Sequence, residues 1–270
     1  LATSAWQLRH SEHKAMARKG LSMMLWLALL LTPLQAFVGD LHGLNVKQHQ
    51  PVKLAAMEGI WPEREAGVPL LLFALPDKAA EKNHFELAIP KLASLILTHD
   101  ANGELAGLKA VPATDRPNVP VVFFSFRIMV GIGLLMILVA MAGAYLRWRG
   151  TLYHSRWFLT FCSYLAPSGI IAVLAGWYVV EVGRQPWIVY GLLRTVDVVT
   201  PLPAERVLFS LTLFVLTYSL LFGVYLYFMR KLIRKGPPPL EQLHQQLIGV
   251  KASGYAVALA KQLTPAQEQK

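Results

Sequence analysis

Seven side chains in this sequence have types and spacings that could do chemistry. In GWYVVEVGRQPW (176–187), Trp177, Glu181 and Arg184 fall at i, i+4 and i+7, one stripe on one face of a helix. The stripe offers an aromatic ring, an anionic ligand and a cation to a single neighbour. A haem needs that set: an axial oxygen or nitrogen ligand, a propionate partner and a packing surface. The simpler alternative is an ion pair between Glu181 and Arg184. Arg127 interrupts the apolar run FFSF-R-IMVGIG, where a cation costs at least ~2.5 kcal/mol unless it is paired or reaches the interface. It is either a snorkelling arginine or the counter-ion of a buried anion such as a haem propionate. Met129 lies two positions on, about 200° around the helix, so the two side chains serve different neighbours. In KLAAMEGIW, Lys53 and Glu58 are five apart, about 140° around a helix, which is not the spacing of an ion pair on one stripe. They are either two solvated charges or a polar site with Glu58 as general base for a hydroxyl donor.

Other chemistries lack their signatures. The histidines have no metal-site spacing, and no HExxH, GxSxG, GxGxxG or P-loop pattern occurs, so hydrolase and nucleotide-driven activities lack support. One cysteine, Cys162, excludes a disulfide framework or a cysteine cluster, and its apolar neighbours predict a packed thiol.

The elements that must position these residues are membrane helices. The 270 residues are 54% hydrophobic and 16% charged, with a mean hydropathy of +0.42, where a soluble domain carries about 25% charged residues. Four spans of about the ~20 apolar residues that cross a bilayer are predicted at 21–38, 120–146, 157–182 and 207–229, with a kink at Pro33. The fold class is an all-α integral membrane bundle with one large loop. Arg9, Lys14, Arg18, Lys19, Arg147, Arg149, Arg156, Arg230, Lys231, Arg234 and Lys235 all flank the spans on one side, against Glu12 alone. The positive-inside rule makes that side, with segments 1–20, 147–156 and 230–270, cytoplasmic. Loops 39–119 and 183–206 then lie outside. The net charge of +10 is a topology signal, and no nucleic-acid partner is expected. Loop 39–119 has apolar stretches (68–75, 85–97) and no low complexity, so it reads as a folded unit, and long loops of this kind are often functional. The Gly236-Pro237-Pro238-Pro239 run stops the last helix before a short amphipathic cytoplasmic tail.

Taken together, GDLHG (39–43), KLAAME (53–58), FRIMVG (126–131) and GWYVVEVGRQPW (176–187) resemble subunit I of the cytochrome bd-type quinol oxidases. The run GDLHGLN followed by HQPVKLAAMEG is most similar to the cyanide-insensitive branch. The resemblance covers about residues 20–235. It implies quinol binding in the 39–119 loop through Lys53 and Glu58. Met129 becomes an axial ligand of low-spin haem b with Arg127 as the adjacent functional arginine, and Glu181 an axial ligand in a high-spin pair of haem b with haem d or a second haem b. Trp177 takes an electron-transfer position, Arg184 a propionate, and Asp40 matches the aspartate of the GD turn. The implied partners are subunit II, quinol, O2 and the lipid bilayer, in a bacterial cytoplasmic (inner) membrane with loop 39–119 periplasmic. Family members have nine spans, so the expectation is a fragment holding the last four, without the spans that carry the histidine ligands and inactive alone. Leu41 stands where some relatives have a second acidic residue.

Two other classes compete. A transporter or channel would line a polar path with Arg127 and Glu181, but the repeated broken helices that such folds favour are not visible. A membrane scaffold would need no ligand-type residues. Bound haem distinguishes the oxidase from both.

Overall fold

The computed structural model describes residues 1–10, 14–199 and 202–235. Glu12, His13 and the predicted amphipathic tail lie outside these residues. The chain divides into two units, Leu1–Val207 and Leu208–Lys270, and four segments are long and apolar enough to cross a membrane: Lys14–His49, Ala113–Trp148, Arg156–Gly183 and Ala204–Lys235. The protein is a helical membrane protein.

In the first unit, α1 (Ala2–His10) leads to α2 (Lys14–His49). The latter runs through Pro33 and eleven residues beyond the apolar window that ends at Val38. Tertiary packing explains the extension. Val46 packs against the core of the following unit, and Lys47 Nζ donates to Leu97 O at 2.8 Å. The helix α3 (Pro51–Glu58) starts on Pro51, whose fixed φ suits a first turn, and ends on Gly59, a left-handed cap at φ 72°.

Residues 60–118 fold into small elements with a shared core. Strand β1 (Arg64–Ala66) pairs antiparallel with β4 (Glu104–Ala106), and β2 (Leu70–Asp77) forms a hairpin with β3 (Lys82–Ile89). Helix α4 (Leu92–Thr98) packs between them. The 68–75 stretch becomes β2, and 85–97 divides between β3 and α4. Buried Ser94 ties the unit together, its Oγ accepting from the Val68 N–H (2.7 Å) and donating to Gly103 O (2.8 Å). The core includes Leu54, Ile60, Trp61, Leu105 and Leu108 together with Val119, Val122 and Val179, so these elements are rooted on the ends of two spans.

Those spans are α5 (Val119–Trp148), and α6 (Arg156–Tyr164) followed by α7 (Ser168–Gly183). The segment expected as one helix over 157–182 is broken at 165–167. Pro167 has no N–H to continue the ladder, and Ser168 Oγ donates to Leu165 O at 2.7 Å across the break. Cys162 is fully buried beside Leu21, Leu25 and Phe158. After α7 a small hairpin, β5 (Trp187–Val189) with β6 (Leu193–Arg194), meets the folded loop through Arg194, whose guanidinium lies 2.5 Å from Asp115 Oδ1. The second unit contains most of α8 (Ala204–Lys235), which is apolar along its length and ends on Arg230, Lys231, Arg234 and Lys235.

Candidate functional site

The short helix α3 holds both of its chemical residues out of solvent, in opposite settings. Glu58, 5% exposed, faces α5, where Arg127 Nη2 lies 3.2 Å from its Oε2. The arginine spends its remaining donors on backbone carbonyls. Nε and Nη2 donate to Leu71 O at 3.0 and 2.8 Å, and Nη1 donates to Met57 O. Its Cζ stands 3.7 Å from the Phe123 ring centroid, a cation–π contact. FFSFRIMVGIG supplies no polar path for Arg127, but the folded loop brings one to it. The buried anion is Glu58. Burial pushes the Glu58 carboxyl above its ordinary range, and the Arg127 charge and hydrogen bond pull it back only in part.

Glu58 is held where the helix stops. A side chain at Gly59 would meet Phe123 at 3.0 Å, and Asn83 Nδ2 donates to Gly59 O at 2.9 Å while its Oδ1 accepts from Trp61 Nε1 at 2.8 Å. Phe123, Asn83 and the Leu71 carbonyl escaped the sequence. The glycine directly after KLAAME was the one local signal, a helix stop.

Lys53 points elsewhere. It is 7% exposed, and its stem crosses α7 at Gly183, with Cγ 3.0 Å from where a Cβ would stand. Burial lowers the pKa of its ammonium, Arg184 lowers it further, and Glu181 opposes both. Among the described residues it has no hydrogen bond or ion pair. Glu181 and Arg184 pair at 2.6 Å with their side chains 49% and 43% exposed. Trp177, one turn back on the same face, is exposed, as its i, i+4, i+7 spacing with them requires. The Met129 thioether lies against α7, its Sδ 3.1 Å from where a Cβ on Gly176 would stand.

Two clusters therefore meet across α3: Glu58 with Arg127, and Lys53 with Glu181 and Arg184. Met129 lies at the α5–α7 crossing beside Gly176. Asp40 is on an exposed part of α2 and among the described residues has no polar partner, so it joins neither cluster. Among the described residues no three His, Cys, Asp or Glu side chains could hold a metal ion. A haem asks for less, because it brings four nitrogen ligands and needs one or two from the protein. A thioether opposite a glycine and a half-exposed carboxylate fit that need.

A helical membrane protein whose folded loop seats a buried carboxyl against a part-buried arginine of a span is the class that fold and site define. The sequence of residues 1–237 matches the family model for cytochrome bd terminal oxidase subunit I, and the chain belongs to that family. It is 34% identical over 208 residues to the cytochrome bd ubiquinol oxidase subunit 1 of Bacillus subtilis (strain 168), covering 73% of this chain and 44% of that protein. Against the cytochrome bd-II ubiquinol oxidase subunit 1 of Escherichia coli (strain K12) it is 28% identical over 306 residues, 89% of this chain and 60% of that protein. The solved bd oxidase from Geobacillus thermodenitrificans superposes with a TM-score of 0.76 at 30% identity, over 88% of this chain and 54% of that one. The chain thus spans about half the length of the relatives it matches.

Proposed function

We propose that this chain is the quinol-oxidising, haem-holding part of a terminal quinol:oxygen oxidoreductase of the bacterial inner membrane, acting with a subunit II. The observation that carries the reading is the buried Glu58 paired with part-buried Arg127 near the end of a span, the arginine two residues from Met129, in a member of this family.

Oxidising a quinol removes two protons and two electrons. Glu58, its carboxyl raised by burial, takes a proton from a quinol hydroxyl more readily at neutral pH than an ordinary carboxylate would. Arg127 offsets the charge that Glu58 carries between protonations and keeps the carboxylate aimed by its grip on Met57 O and Leu71 O. By resemblance Lys53 is the second quinol residue. Haem supplies the one-electron acceptors and the oxygen-reducing chemistry when bound. Met129 would hold the iron of a low-spin haem b and Glu181 that of a high-spin haem paired with haem d or a second haem b. Arg184 would bind a propionate, and Trp177 stands on the same face as Glu181. The eleven basic residues flanking the spans set loop 39–119 outside. Protons from quinol then leave outside while those for O2 reduction enter from the cytoplasm, and each charge moved stores ~2.3 kcal/mol per 100 mV.

The test is a reduced-minus-oxidised absorbance spectrum of membranes carrying the full-length subunit with its partner. Met129→Leu should lose the low-spin signal and Glu181→Ala a high-spin one. Wild-type membranes with no haem bands from this protein would sink the reading and leave a transporter as the successor.

A further inference from the structure

The short hairpin β5–β6 follows directly on α7, and its contacts reach back to the folded loop. Thr195 closes it onto the helix end, its N–H donating to Pro186 O and its Oγ1 to Gln185 Oε1, both at 2.8 Å. Trp187 N donates to Arg184 O at 3.0 Å, so the hairpin moves with α7. Arg194 uses this fixed platform twice. Its Cζ stands 5.1 Å from the Trp187 ring centroid, and its Nη2 lies 2.5 Å from Asp115 Oδ1. Asp115 stands four residues before α5, where the loop hands over to the span.

The next residue, Arg116, ties the other side of the same segment. Its Nη1 donates to Glu81 Oε1 at 2.6 Å, at the turn of the β2–β3 hairpin. Its Nε and Nη2 donate to Val111 O at 3.1 and 2.9 Å. Two adjacent residues of opposite charge therefore hold two hairpins, one of the loop and one of α7. The helix α7 also meets the loop through Val179 and Val182 in the shared core. Apolar packing of that kind has no direction, whereas the ion pair fixes one register.

We propose that Arg194 is a positioning residue for quinol binding. By pairing with Asp115 from a hairpin fixed to α7, it holds the loop, and with it Glu58 and Lys53 of α3, in the seat that receives quinol. The inference rests on the oxidase reading above and adds a pair that lies outside the four segments carrying the family resemblance. Side chains 41% and 15% exposed contribute little to global stability as a pair. What the pair sets is the share of molecules with the loop seated, and a seat filled for a fraction of the time binds its ligand more weakly by that fraction.

The test uses the full-length oxidase with its partner subunit and follows quinol oxidation by absorbance. Arg194→Met and Asp115→Asn should each raise the KM for quinol about fivefold, the size one partly exposed pair can supply, with kcat within about twofold of wild type. Asp115→Asn keeps the shape and removes only the charge, so the test stands even if Arg194→Met fails to fold. The double variant should be no worse than either single one, because both remove one contact. Arg194→Lys should recover part of the KM, keeping the charge without the planar stack on Trp187. Ionic strength gives an independent readout. Quinol is uncharged, so the wild-type KM should climb as salt screens the pair, and that of Arg194→Met should stay flat. Single variants with an unmoved KM, or a double variant with additive losses, overturn the proposal and leave the pair a structural contact. A lowered kcat with altered haem bands overturns it too, moving Arg194 to the haem side. Glu58→Gln is the control for the oxidase reading itself. If it leaves quinol oxidation untouched, that reading fails; if it slows oxidation while Arg194→Met and Asp115→Asn leave KM unmoved, only this inference fails.

Discussion

Glu58 and Arg127 carry large electrostatic stakes among the described residues, because Glu58 is buried, Arg127 is part-buried, and each is the other's counter-charge. Removing one partner leaves an uncompensated charge, which costs about 3–5 kcal/mol in buried pairs. Arg127→Met should therefore destabilise the purified subunit by that amount and free Met57 O and Leu71 O, measurable as a lowered Tm and faster proteolysis between residues 60 and 107. Arg127→Lys should recover only part of this, since an ammonium cannot reproduce the fork that grips Leu71 O twice. The raised carboxyl of Glu58 also fixes a pH dependence. Its folded pKa lies above the unfolded one, so its contribution to stability is complete at acid pH and is lost as pH rises through the folded value. On the proposed function the same ionisation would create the base. In the full-length oxidase kcat/KM for quinol should rise with pH across a window above the ordinary carboxylate range, and Glu58→Gln should remove that limb and lower the plateau 10²-fold or more, about the contribution of a general base.

At the scale of elements, α3 is the piece on which both clusters depend, and its stop decides where Glu58 points. Gly59 is left-handed at φ 72° and has Phe123 at 3.0 Å from a would-be Cβ. Gly59→Ala should cost about 1–2 kcal/mol from backbone strain alone, read as a drop in Tm, and should slow quinol oxidation by turning the carboxylate. Much of this arrangement was legible in the sequence. The five-residue gap between Lys53 and Glu58 put them on different sides of a helix, and the structure gives them different neighbours, Gly183 of α7 and Arg127 of α5. The two-residue gap between Arg127 and Met129 likewise separates a side chain that faces the loop from one that faces α7. Glu181 and Arg184 form the simple pair that their spacing allowed. What could not be read was long-range. Arg127's acceptors lie 56 and 70 residues away and are backbone carbonyls, which look alike in any sequence. Nor could the pattern place the three small two-stranded sheets, since the exposed apolar residues of β2 and β3 break the alternation of a half-buried strand. The break before Pro167 was visible as a proline but was absorbed into an otherwise continuous apolar run.

For the whole molecule, the four apolar segments and the basic residues between them make orientation the central question. The single cysteine helps, because Cys162 is fully buried and should give almost no labelling background. In right-side-out vesicles, Lys78→Cys should react with a membrane-impermeant maleimide at once, whereas Arg149→Cys should react only after permeabilisation. The opposite pattern would invert the topology and place quinol oxidation on the wrong side for the proposed charge separation.

The grip of Arg127 on residues 57, 58 and 71 also sets an order of events during synthesis. Residues 51–118 leave the ribosome before α5, yet their core lacks Val119, Val122 and Phe123 until that helix is made. The loop must therefore wait, incomplete, until the next span is made and its arginine arrives to close the clasp; on the proposed topology it waits across the membrane. Insertion of α5 becomes the checkpoint for the loop. A nascent chain truncated after residue 118 should stay open to protease added from the loop side, and one extended to residue 150 should become protected.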